Sequence, residues 1–254
     1  MMVEEGVLQN PDVDAIFGLH IWSQIPVGQI TYRPEGMMAA SNRFTIDVRG
    51  KQTYGSSPWD GIDPIIVSAQ IINGLQTIIS QRTELTKEAA VITVGIIRSG
   101  VRHNIIPEDT FLEGTIRTLD QEMQDKLFDQ MHTTVDYIAR SMGAKANLEI
   151  HPSYPVTYNH HVLIDKMAPT LERVVGEENA IIMNPITYAE NFSFSFFQKE
   201  VPGFYFFVGG MPPEMDPEEA PAHHTPDFYI DEEGMKTGVR AMATLAVDYM
   251  KMQN

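Results

Sequence analysis

The spacing of apolar and polar positions divides this chain into three stretches. Residues 1–9 (MMVEEGVLQ) space their apolar side chains like the tail of a helix, and Asn10-Pro11 then breaks the chain. Residues 14–22 (DAIFGLHIW) form a short, nearly continuous apolar run, the pattern of a buried strand. From about residue 39 the pattern changes. Residues 44–49 (FTIDVR) alternate with the period of a strand. Asp63-Pro64 opens a helix, because aspartate caps and proline fits the first turn, and helical spacing runs over residues 65–80. Residues 90–98 are β-branched and strand-like, and residues 111–118 predict another strand. Residues 120–142 predict a helix capped by Asp120 and closed by Gly143, with a last strand at 146–151. The order β-α-β-β-α-β is the split βαβ, or ferredoxin-like, plan.

After Pro152 the α/β character returns. A helix is expected at 161–175, a short strand at 181–183, a short helix at 191–198 and a buried strand at 204–208 (FYFFV). Residues 211–227 are rich in proline and acids and read as a loop, and 232–250 as a closing amphipathic helix. Only about three strands lie outside the central unit, fewer than a usual sheet holds, so that sheet reads as incomplete. The expected fold class is therefore α/β, with residues 1–38 and 152–254 forming one domain and 39–151 inserted in it. By this reading the chain is expected to open in the middle of an α/β unit. No internal repeat and no low-complexity tract is present.

Composition narrows the function. The chain has 254 residues with 18 Lys+Arg against 34 Asp+Glu. A net charge of -16 argues against nucleic acid as a partner, because phosphate binding needs clustered cations. No apolar stretch approaches the roughly 18 residues of a membrane span. The first residues lack the basic and apolar regions of a secretion signal, so a cytoplasmic setting is the expectation. The absence of cysteine excludes disulfides, thiolate nucleophiles and cysteine-based zinc sites.

Few residues stand out chemically. His20 falls near the carboxyl end of a predicted strand, where open α/β sheets place ligands; the residues alone favour the plainer reading, a hydrogen-bonded core histidine. His223-His224 lie in a loop, where adjacent histidines are as a rule solvated, and His160-His161 begin a helix and read as capping and surface. No partner can be read from the sequence for His103, His132 or His151. No G-x-S-x-G elbow, P-loop, G-x-G-x-x-G or H-E-x-x-H is present. Arg98, Arg102 and Arg117 lie on or beside predicted strands. An arginine in an apolar strand needs compensation, so Arg117 is either salt-bridged or a clamp for a carboxylate.

The segments DVDAIFGLH, GKQTYGSSPWDGIDP, VRHNIIPEDTFLEGTIRT, YAENFS, VPGFYFFVGG and HHTPDF resemble, in order, one family. It is the metal-dependent amidohydrolases that include N-acyl-amino-acid amidohydrolases, hippurate hydrolases and auxin-conjugate hydrolases, within a zinc-peptidase-like clan. The resemblance covers nearly the whole chain. It implies an α/β catalytic domain carrying an inserted ferredoxin-like lid, a homodimer formed through that lid, and two divalent metals such as zinc or manganese. The metals polarise the amide carbonyl and acidify a water, and a glutamate takes the proton. The implied substrate is a small N-acyl amino acid.

By the same resemblance His20 and His224 are metal ligands, with His223 the competitor beside His224. Asn104 helps hold the tetrahedral intermediate, and Arg117 clamps the substrate carboxylate. Gly209 and Gly210 match a glycine turn lining the substrate pocket, and Glu190 matches the glutamate of an E-D-F motif. Three departures follow. The family's upstream C-G-H-D motif and Glu-Glu pair, which supply further ligands and the general base, are absent, so the chain resembles the downstream two-thirds of a longer enzyme. The lid motif Q-T-H-G reads Gln52-Thr53-Tyr54-Gly55, placing Tyr54 where a histidine reaches the partner's site. E-D-F reads Glu190-Asn191-Phe192. The expectation is thus a metal-dependent amidohydrolase by lineage that is weak or inactive as this chain, with an exposed sheet edge. The alternatives are one half of a split amidohydrolase and a non-catalytic dimerisation or binding module.

Overall fold

A computed structural model of the protein describes residues 5–193 and 201–253. The chain divides into two compact units, Met1–Met38 with Thr157–Ile186 and Glu190–Asn254, and Ala39–Val156 with Thr187–Ala189.

In the first unit, strands β1 (Ile16–Pro26), β2 (Ile30–Tyr32), β11 (Ala180–Ile182) and β12 (Gly203–Met211) form one sheet in the order β1-β12-β2-β11. β1 runs parallel to β12, and β12 antiparallel to β2. β12 is buried along its whole length, as expected of a strand covered on both faces. Its alternate side chains separate two cores. Phe204, Phe206 and Val208 face helices α3 (His161–Val175) and α4 (Glu233–Gln253), against Leu163, Met167 and Leu245. Tyr205 and Phe207 face the other way, onto Met37, Met38, Trp22 and Phe192. A two-stranded ribbon of β3 (Glu35–Met38) and β10 (Thr157–Asn159) carries Met37 and Met38. Asn159 ties this ribbon to the sheet: its amide donates to the carbonyls of Arg33 (2.9 Å) and Tyr205 (2.8 Å) and accepts from the Tyr205 N–H (2.7 Å).

In the second unit, β4 (Ala40–Arg49), β6 (Ala90–Ser99), β8 (Asp109–Thr118) and β9 (Lys145–Tyr154) form an antiparallel sheet ordered β6-β8-β4-β9. Helices α1 (Pro64–Thr77) and α2 (Gln121–Ser141) cover one face, where Phe44, Ile46, Leu112 and Ile116 meet Ile71, Leu75, Leu127 and Met131. Asp63 caps α1 by accepting from Ile65 N at 2.9 Å, and Asp120 caps α2 by accepting from Met123 N at 2.7 Å. Past the end of α2, Gly143 takes φ +77°, a left-handed conformation that favours glycine. A small ribbon of β5 (Thr53–Tyr54) and β7 (Ile105–Ile106) completes the unit.

Several expectations need correction. Residues 5–12 form turns and no helix: Gly6 (φ +82°) and Asn10 (φ +57°) leave the helical region. The first unit holds more strands than the expected three, because β2, β3 and β10 are only three or four residues long and show no period in the sequence. The helix expected at 191–198 is a single 3-10 turn at Asn191–Ser193, and its remainder lies outside the described residues. Gly209 and Gly210 lie inside β12, not in a turn. At Gly209 an added Cβ would stand 1.8 Å from the Pro26 carbonyl oxygen, so the glycine permits close approach of two backbones. His160 occupies the N-cap position of α3, yet its side chain makes no capping bond and stacks on His161 at 5.1 Å.

Candidate functional site

His20 projects from β1 on the face shared by Trp22, Tyr205 and Phe207. β1 continues past it to Pro26, so His20 stands within the strand, whereas the sequence placed it near the carboxyl end. Ser23, buried in the unit, and the close approach of Pro26 to Gly209 lie in this continuation. Regular pairing with β12 ends at Trp22↔Gly209. The His20 ring is half-buried, and its Nδ1 lies 2.5 Å from the Ile21 carbonyl. A carbonyl only accepts, so Nδ1 carries the proton and the Nε2 lone pair is left open. Metal-binding histidines characteristically show this arrangement, with one ring nitrogen fixed on a carbonyl and the other free.

Beside His20 sits His223, its ring centroid 5.2 Å away and the two rings edge to face. His223 is also packed against Trp22 at 4.5 Å and Phe228 at 4.9 Å. Burial, and after it the neighbouring His20 and His224, lowers its pKa from the usual 6.5. Its Nε2 accepts from the Ser23 backbone N–H at 3.2 Å, and Ser23 Oγ donates to Pro221 O at 2.7 Å. His224 follows on the exposed side of the loop with φ +62°. Its ring makes no hydrogen bond with a described residue. Among the described residues no group of three or more His, Cys, Asp or Glu side chains forms a metal site. The histidines present fit part of a divalent-metal ligand set, since catalytic zinc typically takes three protein ligands and a water.

Glu190 lies in the same unit, with both carboxylate oxygens engaged. Tyr205 OH donates to one at 2.8 Å and Asn191 N to the other at 2.7 Å. Burial, then the charge and hydrogen bond of Glu190, raises the Tyr205 phenol well above its usual range. Gly209 and Gly210 are buried between β1 and the start of α4. Gly234, near the N-terminus of α4, abuts the Gly209 carbonyl so closely that a Cβ there would lie 2.1 Å from it.

The second unit holds the other expected residues. Tyr54 and Asn104 are neighbours: Tyr54 pairs with Ile105, and Gly55 N donates to Asn104 O at 2.8 Å. Both side chains are exposed. Arg117 lies on β8 between Ser41 and Val91, and burial lowers its pKa below the usual arginine range. Among the described residues it has no ion pair. His151 gains a partner that the sequence did not show, Thr45 Oγ1 at 3.4 Å.

Ser23, Tyr205 and Asn159 were not expected at the site. Ser23 meets His223 across 200 sequence positions, and no local signal marks it. Tyr205 is disguised within an aromatic strand, although a hydroxyl in an otherwise apolar run is a sign that a partner is needed.

Comparison with known proteins shows the family of the chain. The chain is 33% identical over 251 residues to the putative amidohydrolase YhaA of Bacillus subtilis (strain 168), covering 99% of this chain and 62% of that protein. It is 30% identical to the N-acetylcysteine deacetylase of the same organism (97% and 61% covered). It is also 30% identical to the IAA-amino acid hydrolase ILR1-like 4 of Arabidopsis thaliana (98% and 56%). Among solved structures it is similar to a putative aminohydrolase from methicillin-resistant Staphylococcus aureus, with TM-score 0.89, 27% identity and 98% and 62% coverage. It is also similar to the Bacillus subtilis YXEP protein, described as a dinuclear metal-binding peptidase of the M20 family, with TM-score 0.76, 28% identity and 98% and 60% coverage. The chain thus spans about three-fifths of the length of these relatives. No helix among the described residues is long and apolar enough to cross a membrane. A model of peptidase family M20/M25/M40 matches residues 1–248, and the chain belongs to that family.

Proposed function

We propose that this chain carries part of a metal-dependent amidohydrolase acting on small N-acyl amino acids. The observation that carries the reading is His20: its Nδ1 is fixed on the Ile21 carbonyl and its Nε2 is open, beside the loop that bears His224. His20 and His224 would hold a divalent ion such as zinc or manganese. A bound ion of this kind supplies polarisation of the amide carbonyl and acidification of a water. Arg117, desolvated and without an ion pair among the described residues, would take the substrate carboxylate in a two-pronged contact. Asn104 and Tyr54, exposed side by side, would donate hydrogen bonds to the amide oxygen as charge develops on it. Glu190, held at both oxygens, would present a fixed carboxylate at the substrate site, and Gly209 and Gly210 would contribute backbone to that site.

In this reading the unit built on Met1–Met38, Thr157–Ile186 and Glu190–Asn254 is catalytic, and the unit built on Ala39–Val156 is its lid. β6 is an edge strand of the lid sheet with Val91, Thr93 and Ile97 exposed, and a homodimer would form through the lid. Relatives named N-acetylcysteine deacetylase and IAA-amino acid hydrolase support the substrate class. The further ligands and the general base correspond to the C-G-H-D and Glu-Glu positions, which this sequence lacks, so the chain alone is expected to turn over poorly. A second reading, a binding module without turnover, is favoured by Tyr54 and Asn191 standing where the family motifs have histidine and aspartate.

The test is release of free amino acid from N-acetyl and N-benzoyl amino acids with manganese or zinc. The chain is assayed beside His224→Ala, alone and supplemented with the C-G-H-D-bearing portion of a relative. Release that disappears in the variant supports the amidohydrolase reading. Tight binding of the N-acyl amino acid without release in either condition favours the binding module. Neither binding nor release overturns both.

A further inference from the structure

We propose that His223 is a clasp and not a metal ligand: its Nε2 fastens the loop that carries His224 to strand β1 at Ser23, and so positions His224. The inference rests on the reading of His224 as a ligand and assigns the two adjacent histidines separate tasks.

The argument starts from the donor. A backbone N–H can only donate, and the Ser23 N–H points at His223 Nε2 at 3.2 Å. Nε2 therefore presents its lone pair to Ser23, and the proton of the neutral ring sits on Nδ1. Neither ring nitrogen is then open to a cation, because one lone pair is occupied and the other nitrogen is protonated. His20 has the same tautomer, with Nδ1 on a carbonyl, but its Nε2 is open. The contact is doubled by Ser23 Oγ, which donates to Pro221 O at 2.7 Å, so a single buried serine grips the loop at two residues. Trp22 and Phe228 pack against the ring at 4.5 and 4.9 Å and hold its plane. The next residue, His224, is exposed, has φ +62° and forms no ring hydrogen bond with a described residue. One histidine is locked and its neighbour is left open.

The first measurement is a long-range proton–nitrogen spectrum of the full chain labelled at histidine and free of metal, with His223 assigned by its loss in His223→Gln. A single neutral form protonated at Nδ1 is expected. A ring protonated at Nε2, or a mixture of the two forms, overturns the clasp whatever the enzyme does. Zinc chloride is then titrated in. Zinc that shifts His224 and leaves the His223 pattern in place supports the assignment, and zinc taken up at His223 Nε2 overturns it. Zinc that moves none of the three rings counts against the metal reading only, and the clasp stands on the tautomer.

Substitutions give an independent readout. His223→Gln keeps an acceptor for Ser23 N, whereas His223→Phe keeps the aromatic packing and loses the acceptor. Cleavage by a glutamate-specific protease at Glu214, Glu218 and Glu219 is expected to stay near wild type in the glutamine variant. It should rise on the order of tenfold in the phenylalanine variant, the equilibrium effect of one hydrogen bond on local opening. Equal protection in the two variants overturns the proposal.

Discussion

The phenol of Tyr205 donates to the carboxylate of Glu190 at 2.8 Å, and this contact ties a core strand to a candidate site residue. Burial comes first, and the Glu190 charge second, in raising the phenol above its ordinary value of 10.0. In the unfolded chain the proton leaves near pH 10, whereas the folded chain retains it. The resulting stabilisation is therefore complete below about pH 10 and is lost as pH rises beyond it. Tyr205→Phe is expected to cost about 1 kcal/mol at neutral pH, the worth of one hydrogen bond. Its stability should also fall less steeply than wild type above about pH 10. Urea denaturation at neutral and alkaline pH measures both, and parallel alkaline slopes in the two proteins would refute the assignment.

Asn159 is completely buried, and its amide satisfies the Tyr205 N–H and two carbonyls, those of Arg33 and Tyr205. Asn159→Asp keeps the acceptor for Tyr205 N but turns the amide donor into an oxygen facing two carbonyls. About 2–4 kcal/mol of destabilisation is expected at neutral pH, since two donor contacts are lost and a charge is buried. Because protonation restores one donor and removes the charge, the difference from wild type should shrink as pH falls toward the carboxyl pKa. A difference that stays constant with pH would contradict this account.

How far the sequence revealed these features depended on whether the cause was local. Helix α2 was legible from both ends: Asp120 caps it through Met123 N, and Gly143 leaves it at φ +77°. The β-α-β-β-α-β order was legible because its strands are long and alternate, with Phe44, Ile46 and Val48 buried in turn. β2, β3 and β10 were not, since three or four residues carry no period and their pairing is set by distant partners such as Asn159. Gly209-Gly210 matched a glycine turn of the family, but Gly209 is required by the Pro26 carbonyl, far away in sequence. The same holds at the site. His20 could be singled out by its strand, whereas the contact that distinguishes His223 from His224 comes from Ser23, a residue with no distinguishing mark in the sequence.

Gly209 offers a direct test of that close approach. A Cβ there would lie 1.8 Å from Pro26 O and 2.8 Å from Ile25 O, both backbone atoms, so β1 and β12 would have to separate. Gly209→Ala is expected to destabilise by about 1–3 kcal/mol or more, the range for overpacked sites. Gly95, in β6, has open space where a Cβ would go, with no atom within 4 Å, and no left-handed φ. Gly95→Ala should be neutral or stabilising by roughly 0.5–1 kcal/mol. Thermal denaturation of the two variants side by side checks the contrast, and similar melting temperatures would remove the close-approach explanation.

Arg117 separates stability from binding. Its guanidinium is partly desolvated, its pKa is lowered for that reason, and it has no ion pair among the described residues. Removing such a charge relieves a desolvation cost, so Arg117→Met should leave stability unchanged or slightly raised. If the residue clamps the substrate carboxylate, the same change should weaken binding of N-benzoylglycine by on the order of tenfold to a hundredfold, as expected for a lost charge-assisted pair. It should leave binding of N-methylbenzamide, which lacks the carboxylate, at its original level. Arg117→Lys keeps the charge without the planar fork and should fall between the two. Calorimetric titration with both ligands, paired with denaturation, reads each effect separately. A methionine variant that is destabilised, yet binds N-benzoylglycine as wild type does, would make Arg117 a structural residue and leave the substrate carboxylate without its proposed partner.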